Sequence, residues 1–257
     1  MATSSFKDNT ILITGAGSGI GRATAIKLAS LDAKLLLSDI NLASVQETSR
    51  LCANPDLHDV AILDVSSSAA CETYLTSISS SGSVNHIFNC AGINPTALPI
   101  TEVTDEYWDK LMNTNLKGTF NITRAAVPHL KSGSSFVNVS SVCGVVPISH
   151  YAVYCATKYA VIGFSKCMAL ELGPKGIRTN IVAPGFINTP TNSAVLEGEE
   201  SIKKMEGTVA MRRFGLPEEV ADVVVYLMGD GAKYMNGSVV EVNGGNAWGP
   251  SEILEMK

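Results

Sequence analysis

Short apolar runs alternate along the chain with longer stretches whose apolar positions recur at helical spacing. Residues 10–13 read as a buried strand, followed by a glycine cluster and a helix over 20–31. Further strands are predicted at 34–38, 59–63, 85–88, 135–139, 178–182 and 238–242. Helical periodicity fills the intervals: over 42–52, from a polar start at Ser66, and over 106–130, 151–172 and 218–228. Strands alternating with helices at this spacing imply parallel pairing with right-handed crossovers. The expected architecture is α/β, a three-layer sandwich around a doubly wound parallel sheet of about seven strands. No linker, repeat or low-complexity break interrupts the pattern, so residues 1–257 are expected to form a single domain.

Candidate chemistry begins in the first turn, Thr14-Gly15-Ala16-Gly17-Ser18-Gly19-Ile20-Gly21, between the first strand and the first helix. Glycines there let the backbone turn sharply and approach a pyrophosphate, whose charge is favoured by the open amides of a helix N-terminus. The spacing Gly-x-Gly-x-x-Gly does not fit, because Ile20 or Arg22 stands where the last glycine is needed. A triphosphatase phosphate loop fails as well, with Arg22-Ala23 in place of its lysine and hydroxyl. Thr-Gly-x-x-x-Gly-x-Gly does fit, through Thr14, Gly15, Gly19 and Gly21. Asp39 ends the second strand, where a carboxylate can accept hydrogen bonds from adenosine ribose hydroxyls and repel a 2′-phosphate. Ala16 and Ile40 offer no cation to neutralise that phosphate, which favours NAD over NADP.

Tyr154 and Lys158 lie at i and i+4 of a predicted helix, roughly 6 Å apart at Cβ. A phenol with a pKa of ~10 is a poor base at neutral pH, and a nearby ammonium is expected to lower that value. Tyr151 is nearly two turns from Lys158, and Tyr159 points about 100° away from it, so neither makes the same pair. Ser140 and Ser141 end the fifth strand, at the carboxyl edge where such sheets bind ligands.

In order and spacing these features resemble the single-domain short-chain dehydrogenases/reductases over essentially the whole chain. The matching residues are Thr14 to Gly21, Asp39, Asp64-Val65, Asn89-Cys90-Ala91-Gly92, Asn115, Ser141, Tyr154 with Lys158, and Pro184-Gly185. Cys90 departs from the family, which more often has a second asparagine there. The resemblance implies a Rossmann-type fold whose cofactor meets Gly15, Ser18, Gly19 and Ile20 at the first turn. Asp64 and Val65 would meet the adenine, and Asn89, Ala91 and Gly92 would line the cofactor near the fourth strand. Pro184, Gly185 and Ile187 would cover the nicotinamide, with Thr189 binding its carboxamide.

By the same resemblance Tyr154 is the general acid/base, and Ser141, at the usual family interval before it, holds the substrate oxygen. Lys158 would bond the nicotinamide ribose and depress the tyrosine pKa. Asn115 would kink its helix and hold a water leading from Lys158 to solvent. Candidate substrate contacts are Ile93, Asn94, Val142, His150, Phe186 and Trp248. Residues 190–213, where charged residues interrupt sparse apolar ones, would form a lid. The family also implies a homotetramer or homodimer, built on helices over 115–129 and 151–172 with Val161, Ile162, Phe164 and Met168 on the second.

Composition narrows the function classes. Hydrophobic residues at 46% and charged residues at 17% fit a folded enzyme, and a net charge of −5 disfavours a nucleic-acid partner. No apolar run approaches 18 residues and residues 1–9 lack a secretory pattern, so no membrane contact and a cytoplasmic location are expected. The six cysteines and four histidines have no metal-ligand spacing, so no metal is expected, and Cys143 and Cys155 read as packing residues. The implied activity is hydride transfer between a secondary alcohol, or its ketone, and NAD. Alternatives are an NADPH-dependent ketoacyl-type or carbonyl reductase and a non-catalytic NAD-binding scaffold. Asp39 speaks against the first, and the intact set of Asn115, Ser141, Tyr154 and Lys158 against the second.

Overall fold

The computed structural model describes residues 5–79, 84–189 and 199–246. Its strands are β1 (Thr10–Thr14), β2 (Lys34–Asp39), β3 (Asp59–Ile62), β4 (His86–Asn89), β5 (Ser135–Val139), β6 (Arg178–Pro184) and β7 (Val239–Val242). They form one parallel sheet in the order β3-β2-β1-β4-β5-β6-β7. After β3 the chain crosses to the far side of β1, so β1 and β4 flank a switch point, with Thr14 opposite Asn89. Crevices at such points are where doubly wound sheets bind ligands.

Side chains along each strand alternate between two cores, which explains the unbroken apolar runs. Ile11 and Ile13 of β1 pack with Ala25 and Leu28 of α1 (Gly19–Ala29), Val45 of α2 (Leu42–Leu51) and Val224 of α8 (Pro217–Met228). Leu12 faces the other way, with Leu75 of α3 (Ser68–Ser79), Ile122 of α5 (Gly118–Ala126) and Leu172 of α6 (Ala152–Leu172). Leu12 is fully buried, and truncating such a leucine to alanine costs about 2–5 kcal/mol. Among the described residues no helix is long and apolar enough to cross a membrane.

The helix predicted over 106–130 is broken into α4 (Asp105–Leu111), a π-helical turn over Met112–Lys117, α5, and a short 3-10 turn over Val127–His129. A π turn admits one extra residue per turn and redirects the side chains within it. Asn115 is turned inward at 1% exposure. Its Oδ1 accepts the Ile93 amide at 2.8 Å and its Nδ2 donates to the Ile93 carbonyl at 3.0 Å. The kink expected at Asn115 is therefore a two-bond clamp on the loop after β4.

Candidate active site

The carboxyl ends of the strands open into a cavity of about 560 Å³. Its first wall is the turn after β1, where Gly15 has φ +67° and passes the loop after β4 so closely that a Cβ would lie 2.8 Å from Ala91 Cα. Ser18 precedes α1 without capping it through its side chain, which leaves the N-terminal amides open to an anion. Gly15, Ser18, Gly19 and Ile20 all line the cavity.

Asp39 closes the next wall. Its Oδ2 accepts the Gly17 amide at 2.9 Å and its Oδ1 the Asn41 amide at 3.0 Å, so the carboxylate is oriented by backbone and can still accept hydroxyl donors. Ile40 beside it is 73% exposed. Arg22 carries the nearest guanidinium of this turn, but it is spent on the Gly17 carbonyl, Thr48 and an ion pair with Glu47 at 2.9 Å. Asp64 and Val65 follow along the cavity. Asp64 Oδ1 accepts both the amide and the hydroxyl of Ser66, and Asn121 Nδ2 donates to the Val65 carbonyl at 2.8 Å.

The polar floor lies between β5 and α6. Ser141 is extended (φ −165°, ψ 164°), and its Oγ accepts the Cys143 amide at 3.1 Å. The Ser141 hydroxyl lies beside the Tyr154 phenol, whose pKa it pulls down. Ser140 is committed elsewhere, its Oγ donating to the Lys158 carbonyl at 2.9 Å. Lys158 is 5% exposed and its Nζ donates to the Val139 carbonyl at 3.2 Å, 5.5 Å from the Tyr154 ring centre.

The protonation of this pair differs from the sequence-based expectation. Burial raises the Tyr154 pKa, reinforced by the neighbouring Cys143 thiol, and the Ser141 hydrogen bond only partly opposes it. Lys158 does not lower it here, because burial works on the lysine too and pulls its own pKa down to about 8. The protein alone thus holds a protonated phenol, a proton donor, beside an amine whose pKa burial has pulled down to about 8.

Residues 15–247 match the family model described as Enoyl-(Acyl carrier protein) reductase. The chain is 38% identical to the (3R)-3-hydroxyacyl-CoA dehydrogenase of Homo sapiens, over 91% of this chain and 94% of that one. It is 36% identical to the levodione reductase of Leifsonia aquatica, over 95% and 96% of the two chains. A crystal structure from Brucella melitensis, described as short-chain dehydrogenase/reductase SDR:Glucose/ribitol dehydrogenase, superposes with a TM-score of 0.90 at 30% identity, covering 96% of this chain and all of the other. The chain belongs to the short-chain dehydrogenase/reductase family. It is an oxidoreductase of the nicotinamide-dependent, hydride-transferring kind.

Not every residue singled out in this short-chain dehydrogenase/reductase meets the cavity. Ala91, Gly92, Asn94, Pro184, Gly185, Phe186, Ile187 and Thr189 line it. Asn89 does not: its Nδ2 donates to Asn138 Oδ1 at 2.9 Å, and Asn138 Nδ2 donates to Ser165 at 2.8 Å, a buried chain tying β4 and β5 to α6. Asn115 acts on the wall through Ile93 and does not line it. His150 is exposed, with φ +67°, and contributes only its carbonyl, which accepts the Leu98 amide at 3.0 Å. Trp248 and the first part of the expected lid, residues 190–198, lie outside the described residues. The rest of that segment contains α7 (Glu199–Gly207).

Sequence reasoning passed over Ile148, Thr114 and Phe214, which also line the cavity, and Arg22, Asn121 and Asn138, which brace it. Only Asn138, a polar residue inside an apolar strand run, carried a local signal. Among the described residues no group of three or more His, Cys, Asp or Glu could hold a metal ion. A dinucleotide suits the donor set: open helix amides for the pyrophosphate at one end, a ribose-accepting Asp39 carboxylate beside them, and a buried amine with two hydroxyls at the other.

Proposed function

We propose that this protein is an NAD-preferring oxidoreductase that interconverts a secondary alcohol and its ketone. The observation that carries the reading is the buried Ser141–Tyr154–Lys158 cluster at the end of a cleft that begins at Asp39. NAD supplies the hydride acceptor when bound, and its reduced form the donor. Tyr154 exchanges the proton with the substrate oxygen at its phenol. Ser141, with its Oγ oriented by the Cys143 amide, donates a hydrogen bond to that oxygen as charge develops on it. Lys158 holds the nicotinamide ribose and sets the electrostatic balance of the phenol. Gly15 to Ile20 take the pyrophosphate, Asp39 the adenosine ribose, Asp64 and Val65 the adenine, and Pro184 to Thr189 the nicotinamide.

Asp39 supports NAD over NADP, because a 2′-phosphate would meet a carboxylate with no uncommitted guanidinium on the glycine turn. We read residues 1–257 as one domain, with the 190–213 segment over the cavity mouth, working in the cytoplasm as a homotetramer or homodimer. An outward edge-to-face pair of Phe120 and Phe164, with ring centres 6.3 Å apart, and Leu170 at 81% exposure support a helix-mediated interface. Val161 is fully buried instead. The test is turnover of NAD and of NADP with a panel of secondary alcohols, followed by absorbance of the reduced cofactor. Turnover with NAD supports the reading, and cofactor binding without turnover of any alcohol or ketone would favour the scaffold alternative.

A further inference from the structure

We propose that the substrate part of the cavity selects an uncharged, mostly apolar ketone or secondary alcohol, and rejects polyols and acyl thioesters. The inference rests on the alcohol–ketone reading above and narrows it. Beyond Ser141 and Tyr154, this part of the cavity is walled by Ile93, Val142, Ile148, Tyr151, Phe186 and Phe214. Asn94 and Tyr151 add an amide and a phenol to these walls, and Lys110 and Thr114 line the same cavity. A substrate with several hydroxyls would bury most of them without partners, and each unpaired polar group weakens binding.

Both walls are fastened, so they resist widening. On one side, Gly215 donates its amide to the Phe186 carbonyl at 2.9 Å and its carbonyl accepts the Asn188 amide at 2.9 Å. Phe186 and Phe214 meet edge-on at 5.8 Å, and Arg213 locks this segment to Glu219 through two bonds of 2.7 and 2.6 Å. On the other side, the Tyr107 phenol holds both the amide and the carbonyl of Thr96, at 2.9 and 3.1 Å. The Leu98 amide is tied to the His150 carbonyl. Charge points the same way. The cations lining the cavity, among the described residues, are Lys158, which is buried at the floor, and Lys110, so a phosphate-bearing carrier arm finds no guanidinium pair to grip.

The experiment compares kcat/KM with NAD for cyclohexanol, ribitol and a 3-hydroxybutyryl thioester. In parallel, calorimetry measures binding of cyclohexanone, ribitol and the thioester to the protein loaded with reduced cofactor. Cyclohexanol should exceed ribitol and the thioester by at least about a hundredfold, the order of discrimination one misplaced hydroxyl gives in an apolar site. Cyclohexanone should also bind tightest, and Ile148→Asn should narrow its lead over ribitol about tenfold. Ribitol or the thioester matching the ring compounds in both measurements overturns the proposal, as does failure of cyclohexanone to bind. Tightest binding of cyclohexanone with no turnover of any compound defeats the dehydrogenase reading but upholds the selectivity inferred here.

Discussion

Tyr154 and Lys158 stand one turn apart on α6, with the lysine Nζ 5.5 Å from the tyrosine ring centre, and burial disfavours the charged form of each. A phenolate at Tyr154 therefore needs more than the lysine that the sequence spacing supplies. In the cofactor-free protein, a spectroscopic difference titration between the unmodified chain and Tyr154→Phe should show no tyrosinate from this residue below about pH 10, the ordinary value of a free phenol. A clear tyrosinate signal from Tyr154 near neutrality would show that the ammonium outweighs desolvation after all.

Lys158 titrates near pH 8 because burial penalises its ammonium. Replacing it with methionine removes the group that answers to pH in this range. Cofactor affinity of the unmodified protein should change across about pH 7 to 9, and that dependence should be absent in Lys158→Met. The check is fluorescence quenching by reduced cofactor at several pH values, and an identical profile in both proteins would detach Lys158 from cofactor binding.

Asp39 receives two backbone amides and faces no uncommitted guanidinium from the glycine turn. NAD should exceed NADP by at least about tenfold in kcat/KM, roughly 1.4 kcal/mol, and Asp39→Ala should narrow the gap. Equal efficiencies in the unmodified protein would contradict the assignment of Asp39 to the ribose.

His86 does not line the cavity, and its burial is expected to weaken the fold in acid. It is 6% exposed, bonded to Ser135 at 2.9 Å and Asn9 at 3.0 Å, and burial brings its pKa down to about 4, helped by the charge of Arg178. The unfolded residue titrates near 6.5, so between about pH 4 and 6.5 the unfolded chain binds more protons than the folded one. The stabilisation is complete above about pH 6.5 and is lost as pH falls through that window, by up to about 3 kcal/mol. Urea midpoints at about pH 7.5 and 4.5 should differ markedly in the unmodified protein and less in His86→Gln.

Much of this was legible along the chain because the parallel strands are buried on both faces and therefore read as apolar runs. Strand β5 begins and ends where its run does, and Asp39, Ser141, Tyr154 and Lys158 all line one cavity as their positions implied. The misses have local causes. A π turn at Asn115 leaves no mark in apolar spacing, so α4 and α5 read as one helix. Asn89 sits at the mouth of the switch point but spends its amide sideways on Asn138, a contact between strands that are 49 residues apart in the chain. The protonation of Tyr154 in the cofactor-free protein is also not written in the spacing. The i, i+4 spacing reveals a lysine nearby, whereas the desolvation around it arises from α4, the turn after β5 and α6 together.

The central claim is that Tyr154 exchanges the proton of the substrate oxygen while hydride passes at the carbon that bears it. Single-turnover oxidation of a deuterated secondary alcohol by NAD, in the unmodified protein and in Tyr154→Phe, tests it most directly. The account predicts a primary isotope effect and a rate that climbs with pH in the unmodified protein. In Tyr154→Phe it predicts a loss of about 10²- to 10⁴-fold, the usual worth of general acid–base catalysis, with cofactor binding retained. A Tyr154→Phe protein that keeps most of the rate, or an unmodified protein whose isotope-sensitive rate stays flat from about pH 6 to 10, would contradict it.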